Sequence, residues 1–524
     1  MLGFEGDNAR EKVIVLLTMC FALAMAMLDN TVVNVALPSI RDDLGASLSE
    51  LQWIVDGYVL AFAALLLTGG IMGDRYGRKK MFMGGLFVFT LASLLCGLST
   101  TTGQLIAARA LQGVGGALLI PGTLSIITVT FPAHERAKAL GLWAGVSGLA
   151  LALGPTLGGY IVEHFNWHWV FIINVPIGIT AFAVSWFTVK ESRSDVARRL
   201  DIPGLLLGTG ALLTATYGLI EANTKGWTDP VILASFAAAA ILLASFLLWE
   251  LRSDHAMMPL RFFKIPAFSA GNTVAFSVSL GMFATFFFMS LYLQTIHGYT
   301  PFQAGIRFLP MTLTIIVTAP LAGKYASKHG SRAPMTYGLI LAGSGLLILG
   351  SLLTVDSSYW LMFPVFVMMG HGMGSTMAPM TAAVMNSVGP ERAGLGSAMT
   401  NTSREVGGVF GIALLGTILT TRMTASLGPA LAGLGLSGQQ QAAIAAGAGQ
   451  GRLDVAGLTA VQARAVDIAY GNAFMSGFHV ALLFAGAVLI AAAYVANRFI
   501  PGREALAPVT EPERASNTLA VEAV

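Results

Sequence analysis

Six charged residues lie inside long apolar runs of this 524-residue chain: Asp29, Asp56, Arg109, Arg307, Arg404 and Glu405. A charge is expensive in lipid, so each is expected to face a cavity or a partner and to mark a path for protons, ions or substrate. Desolvation draws a carboxylate toward its neutral form and a nearby arginine draws it toward its charged form; balanced between the two, it can take up and release a proton. Asp29 stands about 16 residues, roughly 24 Å, from the start of its run. It could carry a proton, or form a fixed ion pair with Arg109 that only joins two helices. Asp56 lies about one turn inside its run, where it could tune proton number or substrate charge, or simply snorkel to the interface. Glu405, about 12 residues into its run, is near mid-membrane, and Arg404 cannot neutralise it because adjacent helical residues point about 100° apart. It reads as a proton or cation site, with an inter-helix hydrogen bond as the rival. Arg307 reads as a snorkelling residue or an ion-pair partner.

Weaker candidates surround these. Asn34, Gln112, Asn272, Gln294, Asn386 and Asn401 are polar residues in apolar runs, suited to line a cavity or to bond between helices. His371 could titrate, although a lone histidine beside glycines is as a rule packed and hydrogen-bonded. Trp53, Phe286, Phe287, Met289 and Tyr292 could form an adaptable wall for varied ligands, although any one of them taken singly is more at home in a core or against lipid. No phosphate-cradling Gly-x-x-x-x-Gly-Lys-Ser/Thr and no His-Glu-x-x-His occurs, so ATP-driven transport and metal catalysis lack support. Cys20 and Cys96 sit in apolar stretches without Cys-x-x-Cys spacing, which argues against a disulfide framework or a metal site. No cofactor is expected.

The elements that must position these residues are membrane helices. Only 11% of residues are charged, against roughly 25% in a soluble domain, while 55% are apolar and the mean hydropathy is +0.72. That excludes an ordinary soluble enzyme, and a net charge of +3 is too small to argue for nucleic acid. A span needs about 20 apolar residues. Fourteen such runs occur, near 13–36, 51–72, 81–98, 104–130, 137–162, 168–189, 202–222, 229–249, 267–293, 302–322, 334–354, 359–386, 393–419 and 473–497. The first lacks a small-residue cleavage site and reads as a retained span. With the N-terminus in the cytoplasm, 22 basic residues fall on that side, among them Arg75, Arg78, Lys79, Lys80, Lys190, Arg193, Arg198 and Arg199. Only Arg41, Lys225, Arg422, Arg452 and Arg464 fall outside, an asymmetry that places both termini in the cytoplasm. Residues 423–472 form a long external connection whose stretches 437–446 and 458–470 could be helical, as a lid or a plain surface hairpin. The tail 501–524 reads as disordered.

The chain repeats itself. Glu135-Arg136-Ala137 opens the fifth span and Glu391-Arg392-Ala393 the thirteenth, 256 residues later; Gly116 and Pro121 recur as Gly374 and Pro379 at an offset of 258. The Gly73–Lys80 loop has a degenerate counterpart from Gly323 to Arg332. The expected fold is therefore all-α: a six-helix bundle over 1–189, a linker with two extra spans over 190–265, and a second six-helix bundle over 266–500. Such repeats are a signature of transporters, with substrate held between the halves.

Four segments narrow this further. Gly73-Asp74-Arg75-Tyr76-Gly77-Arg78-Lys79-Lys80 resembles the cytoplasmic loop signature of the major facilitator superfamily. Leu28-Asp29 followed by Thr31-Val32-Val33-Asn34-Val35-Ala36-Leu37-Pro38 resembles the first-span motif of its fourteen-span drug:proton antiporter branch. Arg109 with Gly113, Gly115 and Gly116 resembles the fourth-span basic motif. Gly154-Pro155 with Gly158-Gly159 resembles the fifth-span antiporter motif. On residues alone, Gly73 and Gly77 allow a tight turn, Asp74 can pair with an arginine, and the fifth-span glycines permit close helix packing around a proline kink. The resemblance implies a latch between the halves at Gly73, Asp74, Arg75, Gly77 and Arg78. It also implies export, with Asp29 as the proton carrier helped by Arg109; on the residues alone, Asp56 and Glu405 are further acids for proton coupling, and Asn34, Trp53, Gln112, Phe287, Tyr292, His371 and Asn401 are candidates for the substrate cavity.

The expected protein is a monomeric antiporter of the cell (inner) membrane that exports lipophilic, often cationic, drugs against protons, with the gradient as energy source. A dedicated exporter of one natural product, lipid or siderophore would use the same helices. A membrane enzyme or sensor that binds ligand through 423–472 is a further alternative, although no catalytic constellation converges in the loops.

Overall fold

The computed structural model describes residues 9–193, 200–253, 256, 258–388, 393–449 and 458–502. Among them there is no strand. α1 (Ala9–Leu44), α2 (Leu48–Tyr76), α3 (Arg78–Gly97), α4 (Thr102–Thr130), α5 (Ala133–His164), the short α6 (Trp169–Ile172) and α7 (Asn174–Thr188) pack on one another. α8 (Ile202–Lys225) and α9 (Pro230–Arg252) form a hairpin. A second group follows: α10 (Pro266–Leu291), α11 (Pro301–Arg307), α12 (Leu309–His329), α13 (Arg332–Leu352), α14 (Tyr359–Val388), α15 (Ala393–Ala432), α16 (Gly438–Gly449) and α17 (Ala460–Phe499).

Thirteen helical stretches among the described residues are long and apolar enough to cross a membrane, with α6–α7 and α11–α12 each counting as one. α5, a 32-residue helix with only some side chains described, occupies the place of the fifth apolar run. The chain is thus an all-helical, multi-pass membrane protein. Short polar turns set the helix starts: Ser47 with Glu50, Thr300 with Gln303 and Thr459 with Gln462 form capping boxes, and Asp201 and Asp229 cap helices that open on proline. Two expected spans are interrupted, the sixth at Ile173 and the tenth at Phe308, which precedes Leu309-Pro310.

Much of 423–472 continues the neighbouring spans, since α15 runs to Ala432 and α17 begins at Ala460, with α16 between them. Alanine and glutamine there are polar enough to leave the membrane and still favour helix. Residues 450–457 with Arg452, residues 503–524 of the tail, Glu391 and Arg392 of the repeat, and Arg198 and Arg199 lie outside the described residues.

α1 begins on the face that carries the Gly73–Lys80 loop and residues 190–193, here termed the basic face. The two groups of helices touch toward the opposite face, through α5 on α11, α2 on α15 and α1 on α10. The Gln52 side chain donates to the Ile412 carbonyl (3.0 Å), Ser290 to the Asn34 carbonyl (2.8 Å) and Gln294 to the Val35 carbonyl (3.0 Å). The α8–α9 hairpin docks alongside this seam: Trp53 Nε1 donates to Glu221 (3.0 Å), and Thr417 donates to the Leu219 carbonyl (2.7 Å).

Candidate functional site

Asp29, Arg109 and Gln112 meet at the centre of the first bundle. Arg109 Nη1 donates to Asp29 Oδ2 (2.5 Å) and to Gln112 Oε1 (2.6 Å), while Gln112 Nε2 donates to Asp29 Oδ1 (2.8 Å) and to Ser93 Oγ (2.7 Å). Asn174 Nδ2 also donates to Asp29 Oδ1 (2.9 Å). Arg109 Nε donates to the Ile54 carbonyl (3.1 Å), its guanidinium lies 4.3 Å from the centre of the Tyr58 ring, and its Nη2 has no hydrogen-bond partner. Asp29 is 1% exposed and Arg109 0%. α1, α2, α3, α4 and α7 thus each supply a group to a polar knot sealed from both faces. In low dielectric such a knot holds a single charge-balanced arrangement.

Asp56 is 0% exposed, and neither of its carboxylate oxygens has a hydrogen-bond partner. It lies eight residues into α2, about 12 Å at 1.5 Å per residue, so burial excludes snorkelling to the interface. Glu405 is 8% exposed, its Oε2 has no partner, and no ion pair joins it to Arg404 among the described residues. Arg307 stacks on Tyr299, 3.5 Å from its ring centre, and faces Tyr359 at 5.2 Å. Its charge is met by aromatic rings.

The structure scatters the seven wall candidates. Gln112 belongs to the polar knot. Asn34 bonds the Asn30 carbonyl in the outer part of α1, beside the seam. Trp53 joins α2 to α8. Phe287 is fully buried against Phe288, and Tyr292 donates to the Thr354 carbonyl while stacking on Phe478 of α17. His371 bonds Thr318 (3.1 Å) and meets Tyr337 edge-on, among α12, α13 and α14. Asn401 is half-buried on α15. A cavity of about 550 Å³ opens between α2, α8, α9, α10 and α15, and none of the seven lines it.

In the Gly73–Lys80 loop, Arg78 holds Asp74 through two bonds (2.7 and 2.9 Å), and Gly73 accepts from the Gly77 amide. Gly77 has φ +116°, and a side chain there would meet the Glu191 carboxylate at 2.7 Å. That carboxylate accepts from the Lys79 and Lys80 amides at the start of α3, where a negative charge is favoured. Arg75 lies over Tyr76. These bonds run to residues 186–192 of the same bundle.

The α5 glycines work as contact points. Gly154 and Gly158 face Thr31 and Val32 of α1, while Gly159 lies against Pro301 and Phe302 of the second bundle, and the Pro155 carbonyl fits against Gly305 of α11. The Phe302 amide donates to Glu163 (3.1 Å). Sequence reasoning missed Ser93, Asn174, Tyr58 and Glu221. Ser93 and Asn174 carried a signal as isolated polar residues in apolar spans, but only the fold shows that they converge on Asp29.

A chain with two packed helical bundles, a hydrogen-bonded seam near one face and a buried ion pair in one bundle is a membrane transporter in its class. The Major Facilitator Superfamily model matches residues 19–412, and the chain belongs to that family. It is 35% identical over 487 residues to the tetracenomycin C resistance and export protein of Streptomyces glaucescens, covering 92% of this chain and 90% of that one. It is 38% identical to the methylenomycin A resistance protein of Streptomyces coelicolor (75% and 83% covered) and 32% identical to the multidrug resistance protein Stp of Mycobacterium tuberculosis (80% and 78%). In fold it is similar to the inward-facing, occupied structure of a bacterial homologue of the human lysosomal transporter Spinster, with a TM-score of 0.67, 18% identity, and 95% and 98% coverage. It is also similar to a D-xylose–proton symporter, with a TM-score of 0.61, 13% identity, and 94% and 98% coverage.

Proposed function

We propose that the chain is a monomeric antiporter of the cell membrane that exports lipophilic, often cationic, small molecules in exchange for protons, with both termini in the cytoplasm and no cofactor beyond the gradient. The observation that carries the reading is the sealed Asp29–Arg109 pair, since protonation of a buried paired acid would be linked to the arrangement of the helices around it. The basic residues crowding the face where α1 begins support the orientation. On it, the seam formed by α5–α11, α2–α15 and α1–α10 closes the external side, and the Gly73–Lys80 loop keeps its bonds within its own half. Proton arrival at Asp29 from outside and substrate release would accompany opening of that seam, with Asp56 and Glu405 as further acids on the path.

A narrower reading, export of one antibiotic, draws on relatives named for tetracenomycin C and methylenomycin A, whereas a multidrug relative favours breadth. Reconstituted vesicles with an imposed pH gradient, an entrapped pH dye and a panel of unrelated cationic dyes test both. Dye movement coupled to proton flow supports antiport, and competition among unrelated dyes supports breadth. Dye movement without proton movement would sink the antiport reading.

A further inference from the structure

The cavity beside α8 and α9 lies away from the polar knot, in the half of the membrane nearer the basic face. Its wall mixes small residues, Ala64 of α2, Ala215 of α8 and Ala240 of α9, with the rings of Phe246, Phe276 and Phe410 and with aliphatic side chains such as Leu67, Leu212 and Leu243. Alanine and glycine on the facing helices leave room that leucine would fill, and the rings present flat faces to it. No charged side chain lines it among the described residues. Its polar groups are few. Ser403 donates to Asn272, which itself bonds the Phe268 carbonyl, but the buried Thr402 Oγ1 on the wall has no partner.

The mouth lies where Leu243 is 50% and Phe263 36% exposed. Beside Leu243, α9 turns an apolar surface outward, with Ile241 66% and Leu248 54% exposed, so the cavity borders hydrocarbon on that side. An apolar void forfeits contacts along its whole wall unless something fills it. At about 550 Å³ it falls within the range of roughly 300–1,000 Å³ that holds drug-sized molecules.

We infer that this cavity, roofed by the α8–α9 hairpin and floored by one helix of the first bundle and two of the second, binds the uncharged, flat, lipophilic body of a drug-sized molecule that enters sideways from the membrane. The inference rests on the export reading only for the use made of the site; occupancy is a separate question. Because the floor joins helices of both bundles, a ligand there touches surfaces that must slide past each other when the bundles rock.

Nile red, an uncharged flat dye, is the probe. In vesicles, Ala215→Cys and Ala240→Cys place thiols on the wall and Ile241→Cys places one on the lipid face, against native Cys20 and Cys96, which are buried. A membrane-dissolved pyrene maleimide should label all three. At ten times its dissociation constant, Nile red should slow labelling of the two wall thiols about tenfold and leave Ile241→Cys unchanged. Ala215→Phe, which takes up part of the cavity, should weaken protection at Ala240→Cys. Equal protection at all three positions, or none, would overturn the site. So would wall thiols already shielded in plain lipid with no further effect of Nile red, which would assign the cavity to an acyl chain. Export of the cationic dyes is measured in parallel: if wild-type vesicles export nothing while Nile red protects the wall, the export reading falls and the site stands.

Discussion

Asp29→Asn removes one charge from the sealed knot and keeps the shape of the side chain. Three donors converge on Asp29, from Arg109, Gln112 and Asn174, and an asparagine accepts through only one of its two end atoms. With the new amide oxygen facing Arg109, its NH₂ meets the donor groups of Gln112 and Asn174, which must both turn over; a turned Gln112 then no longer accepts from Arg109. Breaking a buried pair by removing one partner costs about 3–5 kcal/mol, and the two amide turns recover part of it. The expected loss is therefore near the lower figure. Function should change more sharply. Each exchanged proton contributes about 1.4 kcal/mol per pH unit, which supports about a tenfold substrate gradient. Accumulation by the wild type should thus rise about tenfold for each unit of imposed gradient, and Asp29→Asn should leave it flat while dye still binds. Adding Arg109→Gln should restore thermal stability, because it removes the stranded charge, without restoring coupling. The assay is dye accumulation in proteoliposomes at stepped pH gradients, alongside a melting curve. A gradient response in Asp29→Asn equal to wild type would refute the reasoning and move the proton path to Asp56 or Glu405.

Other perturbations test other joints. Gly159→Leu puts a side chain into Pro301 and Phe302 across the seam, where even the first carbon would lie 2.7 Å from Phe302 Cα. Spin labels at the ends of α5 and α11 should move apart, and transport should fall by more than about tenfold, as a change of roughly 1.4 kcal/mol or more in the balance of states requires. Trp53→Phe deletes the bond to Glu221 and should cost about 1 kcal/mol of thermal stability without altering proton coupling. Asn174→Ala removes a donor to Asp29 without touching the arginine, so it should shift the pH profile of transport and leave the maximal rate close to wild type. Gly77→Val forces a branched residue to φ +116° against Glu191, and should lower expression or melting temperature through strain at the α2–α3 turn.

The spans were legible because lipid imposes one requirement, about twenty apolar residues with all backbone groups satisfied within the helix. Asp29 and Arg109 were legible for the complementary reason: a charge in such a run has to be explained. Helix length was less so, since the apolar runs end where lipid ends while α15 and α17 continue through alanine and glutamine to 40 residues each. The wall of a ligand cavity was the least legible feature. Tyr292 and Phe287 have the composition of a binding surface, yet Tyr292 stacks on Phe478 and Phe287 packs on Phe288. The cavity beside α8 and α9 is lined by ordinary core residue types, alanines among leucines and phenylalanines, and no residue type signals a void by itself.

The placement of the polar knot suggests how coupling can work without contact between proton and substrate. Asp29 and its donors lie wholly within the first bundle, whereas the bonds that close the seam, Gln52 to Ile412 and Ser290 to Asn34, join the two. Asn34 lies five residues beyond Asp29 on α1, and Ile54, whose carbonyl accepts from Arg109, lies two beyond Gln52 on α2. The helices α1 and α2 that hold the seam are therefore also helices that hold the pair. Arg109 already donates to the Ile54 carbonyl and lies over the Tyr58 ring, both on α2, so loss of its bond to Asp29 would change how it bears on α2. A small shift of α2 at that level is carried along a stiff helix to Gln52, where one hydrogen bond to α15 is made or lost. A proton held inside one bundle can in this way bias the seam between two.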